Sequence, residues 1–166
     1  AVKYLANLAG MQPYTFSKKD EEREKQWNEY SEIFKIYVEF YHNELLKNQD
    51  FNFVREYLKK RKLTKEDVLN FKIGFVPFNA SFYEKIKSKF SEKNIMDTGL
   101  FYFDDKKKLY IERFRDRVIF PINSITGQPI ALGGRIIKEN NYLAKYINSP
   151  ETPFFKKGSN LYNLDY

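Results

Sequence analysis

The sequence has no cysteine and a single histidine, and no apolar run approaches the roughly 18 residues that would cross a bilayer. Without thiols there can be no disulfide framework and no thiolate metal site, and His42 alone cannot build a histidine cluster. Metal chemistry must therefore rest on carboxylates or on another part of the protein. Asp104 and Asp105 are adjacent acids, but they run into Lys106, Lys107 and Lys108, a composition typical of a turn. The opening AVKYLANLAGM lacks the basic start, long apolar centre and cleavage site of a signal peptide, and reads as a helix cut by the start of a fragment. These absences predict a soluble cytoplasmic chain that binds no metal and no membrane by itself.

What is present is charge and aromatic surface. The 166 residues carry 29 lysines and arginines against 22 acids, a formal charge of +7 that favours an anionic partner. Aromatics make up 18% of the chain, so many that most must be core. The length suits one ordinary core or two small lobes of one unit.

Periodicity predicts an α+β fold, with N-terminal helices followed by a small, mostly antiparallel sheet. Residues 1–98 read as mostly helical and 99–166 as mostly strands, with no internal repeat or low-complexity linker. Val2, Leu5 and Leu8 suggest a helix over 2–9. Ser17 is a candidate N-cap, with Asp20, Glu21 and Glu22 in the first turn, for a long helix reaching about Lys47. Its broad apolar face takes in Trp27, Tyr30, Phe34, Tyr37, Tyr41 and Leu45, with His42 at the surface or core edge. Residues 51–62 repeat the pattern with Phe53, Tyr57 and Leu58 inward, and end on Lys59, Lys60, Arg61 and Lys62. Thr64 and Asp67 suggest a capping box for a short helix to Asn70. A strand over 71–76, an amphipathic helix over 81–90 and a helical turn stopped by Gly99 follow. Strands are expected at 100–103 and 109–111, joined by the DDKKK turn, then at 117–123, 129–137 and 144–148.

Residues 112–158 concentrate the polar chemistry, with eight cations facing four acids. Arg113, Arg115 and Arg117 recur at spacing two, which in an extended strand places three guanidinium groups on one face and Phe114 and Val118 on the other. Gly133 and Gly134 set bare backbone beside Arg135. Lys145, Tyr146 and Asn148 supply a cation, an aromatic face and an amide within four residues. Such groups hold phosphates and bases. Each also has a plainer reading: Tyr146 as a core aromatic, Asn148 as the cap of the Ser149-Pro150 bend, Arg117 as a brace paired with Asp116, and Glu151 and Thr152 as loop-ordering groups.

The strings VREYLKKRKL, FKIGFVP, ERFRDRVIFPI, GQPIALGGR and KYINSPETPFFKKGSNLYNL, collinear over residues 54–166, resemble the catalytic core of bacterial DnaG-type primases. The resemblance implies the basic N-terminal lobe of an RNA polymerase core that makes short RNA primers on single-stranded DNA. It implies that a zinc-binding domain would precede Ala1 and that the metal-holding TOPRIM lobe would follow Tyr166. On that reading Mg²⁺ and Zn²⁺ belong to the full-length enzyme, none is bound here, and this fragment alone is inactive. The replicative helicase would be met through an absent C-terminal domain, and the chain would be monomeric. By the same resemblance, Arg61, Arg135, Lys145, Tyr146 and Asn148 bind the incoming ribonucleoside triphosphate. Arg113 and Arg115 track the template, with Lys156 and Lys157 extending the phosphate path. Two other readings stay open: a stand-alone single-strand-binding module, and a regulatory lobe sensing guanine nucleotides.

Overall fold

The computed structural model describes residues 8–10, 17–138 and 142–159. The helix expected over 2–9 lies, apart from its last residues, outside them. Helix α1 (Lys18–Lys47) begins where the acids predict: the Asp20 backbone N–H donates to the Ser17 hydroxyl, and the Ser17 N–H donates to the Asp20 carboxylate. After a 3₁₀ turn (Gln49–Phe51) come α2 (Asn52–Lys60) and α3 (Lys65–Asn70), the latter opened by the Thr64–Asp67 capping box. Strand β1 (Gly74–Val76), α4 (Phe82–Ile86) and α5 (Glu92–Asp97) follow, and Gly99 (φ 68°) ends the helical run. The strands are β2 (Phe101–Asp104), β3 (Leu109–Glu112), β4 (Arg117–Asn123), β5 (Pro129–Ile136) and β6 (Tyr146–Asn148).

β1, β4, β5 and β6 form an antiparallel sheet in that order, and β2 and β3 form a separate hairpin. The sheet is covered on both faces, and strand alternation divides its side chains between two cores. Val76, Ile119 and Leu132 join Tyr30, Phe34, Tyr37 and Tyr41 of α1 on one face. Phe75 and Val118 join Val54, Leu58 and Val68 of α2 and α3 on the other. The Tyr30 hydroxyl donates to the Ile130 carbonyl (2.6 Å) and meets Thr152 Oγ1 (2.8 Å), which fixes α1 to β5 and to the loop after β6.

Five local expectations need correction. Phe53 is 45% exposed and Tyr57 only partly buried, and α2 buries Val54 together with the expected Leu58, so the centre of its inward face lies beside the one expected. His42 is buried, with Nδ1 2.8 Å from the Ile73 carbonyl, and that burial lowers its pKa. The strand at 71–76 starts late because Lys72 takes a left-handed conformation (φ 49°), and α4 is shorter than the 81–90 pattern.

The fifth concerns the three arginines. Residues 113–116 form a turn, and Asp116 is left-handed (φ 59°), so the alternation is reset before β4 begins. Arg117 therefore enters β4 buried, 5% exposed, while Arg113 and Arg115 stay in the turn. No common strand face unites them.

Glu112, at the end of β3, is 2% exposed, yet its carboxylate has three donors. Tyr37 and Tyr41 of α1 donate through their hydroxyls (3.0 and 2.6 Å), and the Phe82 N–H at the start of α4 donates at 2.6 Å. Burial raises the Glu112 pKa, and the three hydrogen bonds only partly offset it. The folded chain then holds this proton more tightly than the unfolded chain does. Between the ordinary 4.5 and the raised value, stability falls as pH climbs, and the contribution is fullest below that window. Glu112→Ala strands all three donors and is expected to cost about 3–5 kcal/mol in urea unfolding. Glu112→Gln should lose less, and it should remove this pH term. The wild-type-minus-variant melting difference isolates it from His42, whose lowered pKa acts with the opposite sign below 6.5. A difference that stays constant with pH above 4.5 would refute the assignment.

Candidate nucleotide and template site

The helical repeat sets Phe53, Tyr57 and Arg61 on one stripe of α2, one residue off its buried stripe. On the facing sheet, Val118, Arg135 and Tyr146 are register partners across β4, β5 and β6, so their side chains share the face that α2 covers. The two sets meet in a row of alternating cations and rings. The Arg61 guanidinium lies 5.6 Å from the Tyr57 ring centre, Arg135 lies 5.7 Å from Tyr57, and Arg135 lies 4.9 Å from Tyr146. Arg135 Nη1 also donates to the Tyr146 hydroxyl. Beyond them, Lys138 sits 5.9 Å from the Phe53 ring.

The row is partly open. Tyr146 is 59% exposed, which overturns the core-aromatic reading, and Arg61, Lys145 and Asn148 are exposed as well. Asn148 faces Gly133 across the β5–β6 ladder. The bend that follows is ordered by Ser149, whose N–H donates to the Leu132 carbonyl (2.8 Å) and whose hydroxyl accepts from the Leu132 N–H (2.9 Å). Two buried polar atoms of the row, the Tyr57 hydroxyl and Arg135 Nε, have no hydrogen-bond partner among the described residues. The Lys145 carbonyl accepts from the Ile136 N–H (3.1 Å) and from Arg117 Nη1 (3.3 Å). Arg117 thus braces β6 from inside; burial lowers its pKa and Asp116 partly restores it.

A second cation–aromatic group surrounds the 113–116 turn. Arg113 Nε donates to the Gly99 carbonyl (2.8 Å), with its guanidinium 5.9 Å from the Tyr102 ring. Arg115 lies 5.2 Å from the ring of Phe78, which is 69% exposed. Neither arginine makes an ion pair within 4.0 Å among the described residues, where the ion pairs are Lys87–Glu84, Lys93–Asp97 and Lys108–Asp105. Glu112, the acid next to Arg113 in sequence, is committed to the core. Lys156 and Lys157 are exposed past Phe155, and the Lys157 N–H donates to Glu151 (3.0 Å), so Glu151 orders this loop, as does Thr152 by accepting from the Phe155 N–H (2.9 Å).

The structure therefore gathers Arg61 and Arg135 around the Tyr57 ring with Tyr146 against Arg135, sets Asn148 on the same strand face, leaves Lys145 exposed just before β6, and keeps Arg113 and Arg115 in a separate group. Sequence reasoning missed Tyr57, Phe53, Phe78 and Tyr102. The four-residue spacing of Phe53, Tyr57 and Arg61 was the available signal for the first two. Among the described residues no cluster of three or more His, Asp or Glu side chains could hold a metal ion, and no helix is long and apolar enough to cross a membrane.

Residues 40–166 match the family described as the DNA primase catalytic core, N-terminal domain. The chain belongs to this family. It is 33% identical to the DNA primase of Buchnera aphidicola over 172 aligned residues, 99% of this chain and 28% of that protein. With the Escherichia coli DNA primase it shares 38% identity over 115 residues, 66% of this chain and 19% of the relative. Among solved structures, a DnaG primase catalytic domain bound to single-stranded DNA superposes with a TM-score of 0.75 at 33% identity, covering 86% of this chain and 44% of that one. The Aquifex aeolicus primase, solved with its zinc-binding and RNA polymerase domains, gives 0.72 at 29% identity, covering 98% and 38%. The chain thus spans less than a third of these curated primases, and the α+β architecture is that of the primase core.

Gly134 lets this primase-family sheet close. A Cβ there would stand 2.5 Å from Phe114 Cδ1 and 3.2 Å from Arg117 Cδ, beneath the strand that carries Arg135. Phe114 is fully buried and cannot swing away. Gly134→Ala is expected to destabilise by about 1–3 kcal/mol in urea unfolding through overpacking. A loss below about 0.5 kcal/mol would mean that the strand yields freely.

Proposed function

We propose that this chain is the template- and nucleotide-binding lobe of a DNA primase, a polymerase that lays short RNA primers on single-stranded DNA. The observation that carries the reading is the row Arg61, Tyr57, Arg135 and Tyr146, with Asn148 on the same strand face and Lys145 exposed just before β6. It offers guanidinium forks for phosphates, an exposed ring for a base or ribose, and an amide for hydrogen bonding. Arg135 and Lys145 neutralise the triphosphate of the incoming ribonucleotide, with Arg61 at the far end of the row. Arg113 and Arg115 hold the template backbone, and Lys156 and Lys157 continue that path. The single-stranded DNA bound to the related DnaG domain supports a template role, and similarity to primases along nearly the whole chain favours the enzyme over a stand-alone binding module.

The described residues do not fit a catalytic metal, because their acids are scattered, capped or buried. The Mg²⁺ chemistry of phosphoryl transfer, the zinc domain and the helicase contact are assigned to other parts of the enzyme. This lobe's part is positioning and charge compensation, in a monomeric, cytoplasmic primase.

In the complete enzyme, Arg135→Ala and Lys145→Ala should raise the KM for ribonucleotides more than they weaken template binding. Each removes a charged hydrogen-bonding group worth roughly 1.5–3 kcal/mol. Steady-state kinetics beside template titrations decide it, and an unchanged KM with weakened template binding would reverse the assignment.

For the template path, Arg113→Ala with Arg115→Ala should flatten the slope of log affinity against log salt by about 1.4 for a single-stranded oligonucleotide, roughly 0.7 per lost phosphate contact. Arg113 also holds the Gly99 carbonyl, so the single Arg115→Ala variant is the cleaner arm, with about 0.7 expected. A slope unmoved in both variants, with a lowered melting temperature, would assign these arginines to the fold alone.

A further inference from the structure

The face of α2 turned away from Tyr57 and Arg61 borders a groove of about 660 Å³ between the end of α1, α2 and α3. Leu58, Leu63 and Val68 form its floor, together with Leu46 from α1. Lys59, Lys62 and Lys65 line it, and none of the three makes an ion pair within 4.0 Å among the described residues. Arg55 is otherwise engaged, donating to the Leu45 and Asn48 carbonyls (2.6 and 2.8 Å), and Glu56 is the one acid in the lining. The basic tail of α2 is thus divided: Arg61 joins the row on the sheet, while Lys59 and Lys62 turn to the groove. Lys62 is held there in a left-handed conformation (φ 64°), at a helix end where glycine is the usual residue.

An aliphatic floor beneath unpaired cations selects among polyanions. Single-stranded nucleic acid gains from aromatic rings on which bases stack, and this lining has none. Leucine and valine with lysines around them complement a segment that carries leucine-like side chains on one face and carboxylates on the other. We propose that this groove docks an acidic amphipathic helix of a partner protein, by the helix-in-groove mode.

The probe is a fluorescein-labelled synthetic helix with leucines on one face and glutamates on the other, titrated by anisotropy into the intact protein. Saturable binding is expected, weakening as salt rises from about 50 to about 200 mM. Lys59→Glu with Lys62→Glu should weaken it about tenfold or more through like-charge repulsion. Lys60→Glu, outside the groove lining, should leave it unchanged, and a peptide with serines in place of leucines should not bind. Matching thermal melts establish that the variants are folded. The proposal is overturned if the intact protein ignores the peptide, if Lys60→Glu is as damaging as the groove variant, or if the serine peptide binds equally. It is also overturned if the groove variant loses oligothymidylate binding to the same extent, which would make the surface a nucleic-acid track.

Discussion

One buried carboxylate fixes the relation between the helical and the strand-rich parts of the chain. Glu112 ends the hairpin, and its oxygens take hydrogen bonds from two tyrosines of α1 and from the first N–H of α4. A charge-bearing group with 2% exposure is tolerated only when such donors surround it. The Arg113–Asp116 turn starts at the very next residue, so the position of the second cation–aromatic group follows from where Glu112 is held. The ring cluster of Tyr37, Tyr41, Phe82 and Phe101 packs around the same point.

Features decided by neighbours in sequence were legible before the structure. The Ser17 N-cap, the Thr64–Asp67 capping box, the Gly99 stop and the DDKKK hairpin depend on residues within a turn of each other, and each is found where local chemistry puts it. The features that could not be read depend on distant partners or on one backbone angle. Nothing in ERFRDRV marks Glu112 as interior; its donors come from positions 30 to 75 residues away. The regular spacing of the three arginines suggested one face, and a single left-handed residue, Asp116, breaks it. On α2 the apolar pattern contains two adjacent stripes, Phe53–Tyr57 and Val54–Leu58. Only the packing against β1 and β4 decides which is core.

The candidate site shows the same division. Arg135, Lys145, Tyr146 and Asn148 were identifiable as chemistry suited to phosphates and bases, and Arg61 only through the family resemblance. The element that joins them, the Tyr57 ring between two guanidinium groups, belongs to a helix far away in sequence. Rigid placement comes from the sheet: Arg135 and Tyr146 are register partners, and the strand between Arg135 and Phe114 tolerates no side chain at Gly134.

The pose of Arg135 has an energetic consequence of its own. A guanidinium has five N–H donors, and here Nε is buried without an acceptor while the planar group rests between two rings. Leaving that donor unanswered forfeits about 1–3 kcal/mol, comparable with the roughly 0.5–2 kcal/mol that ring contacts supply. The ring contacts and the Nη1 bond to the Tyr146 hydroxyl offset that penalty and set the direction of the side chain. Arg135 is thus held in direction by its neighbours rather than by a full set of acceptors, with one donor left unanswered.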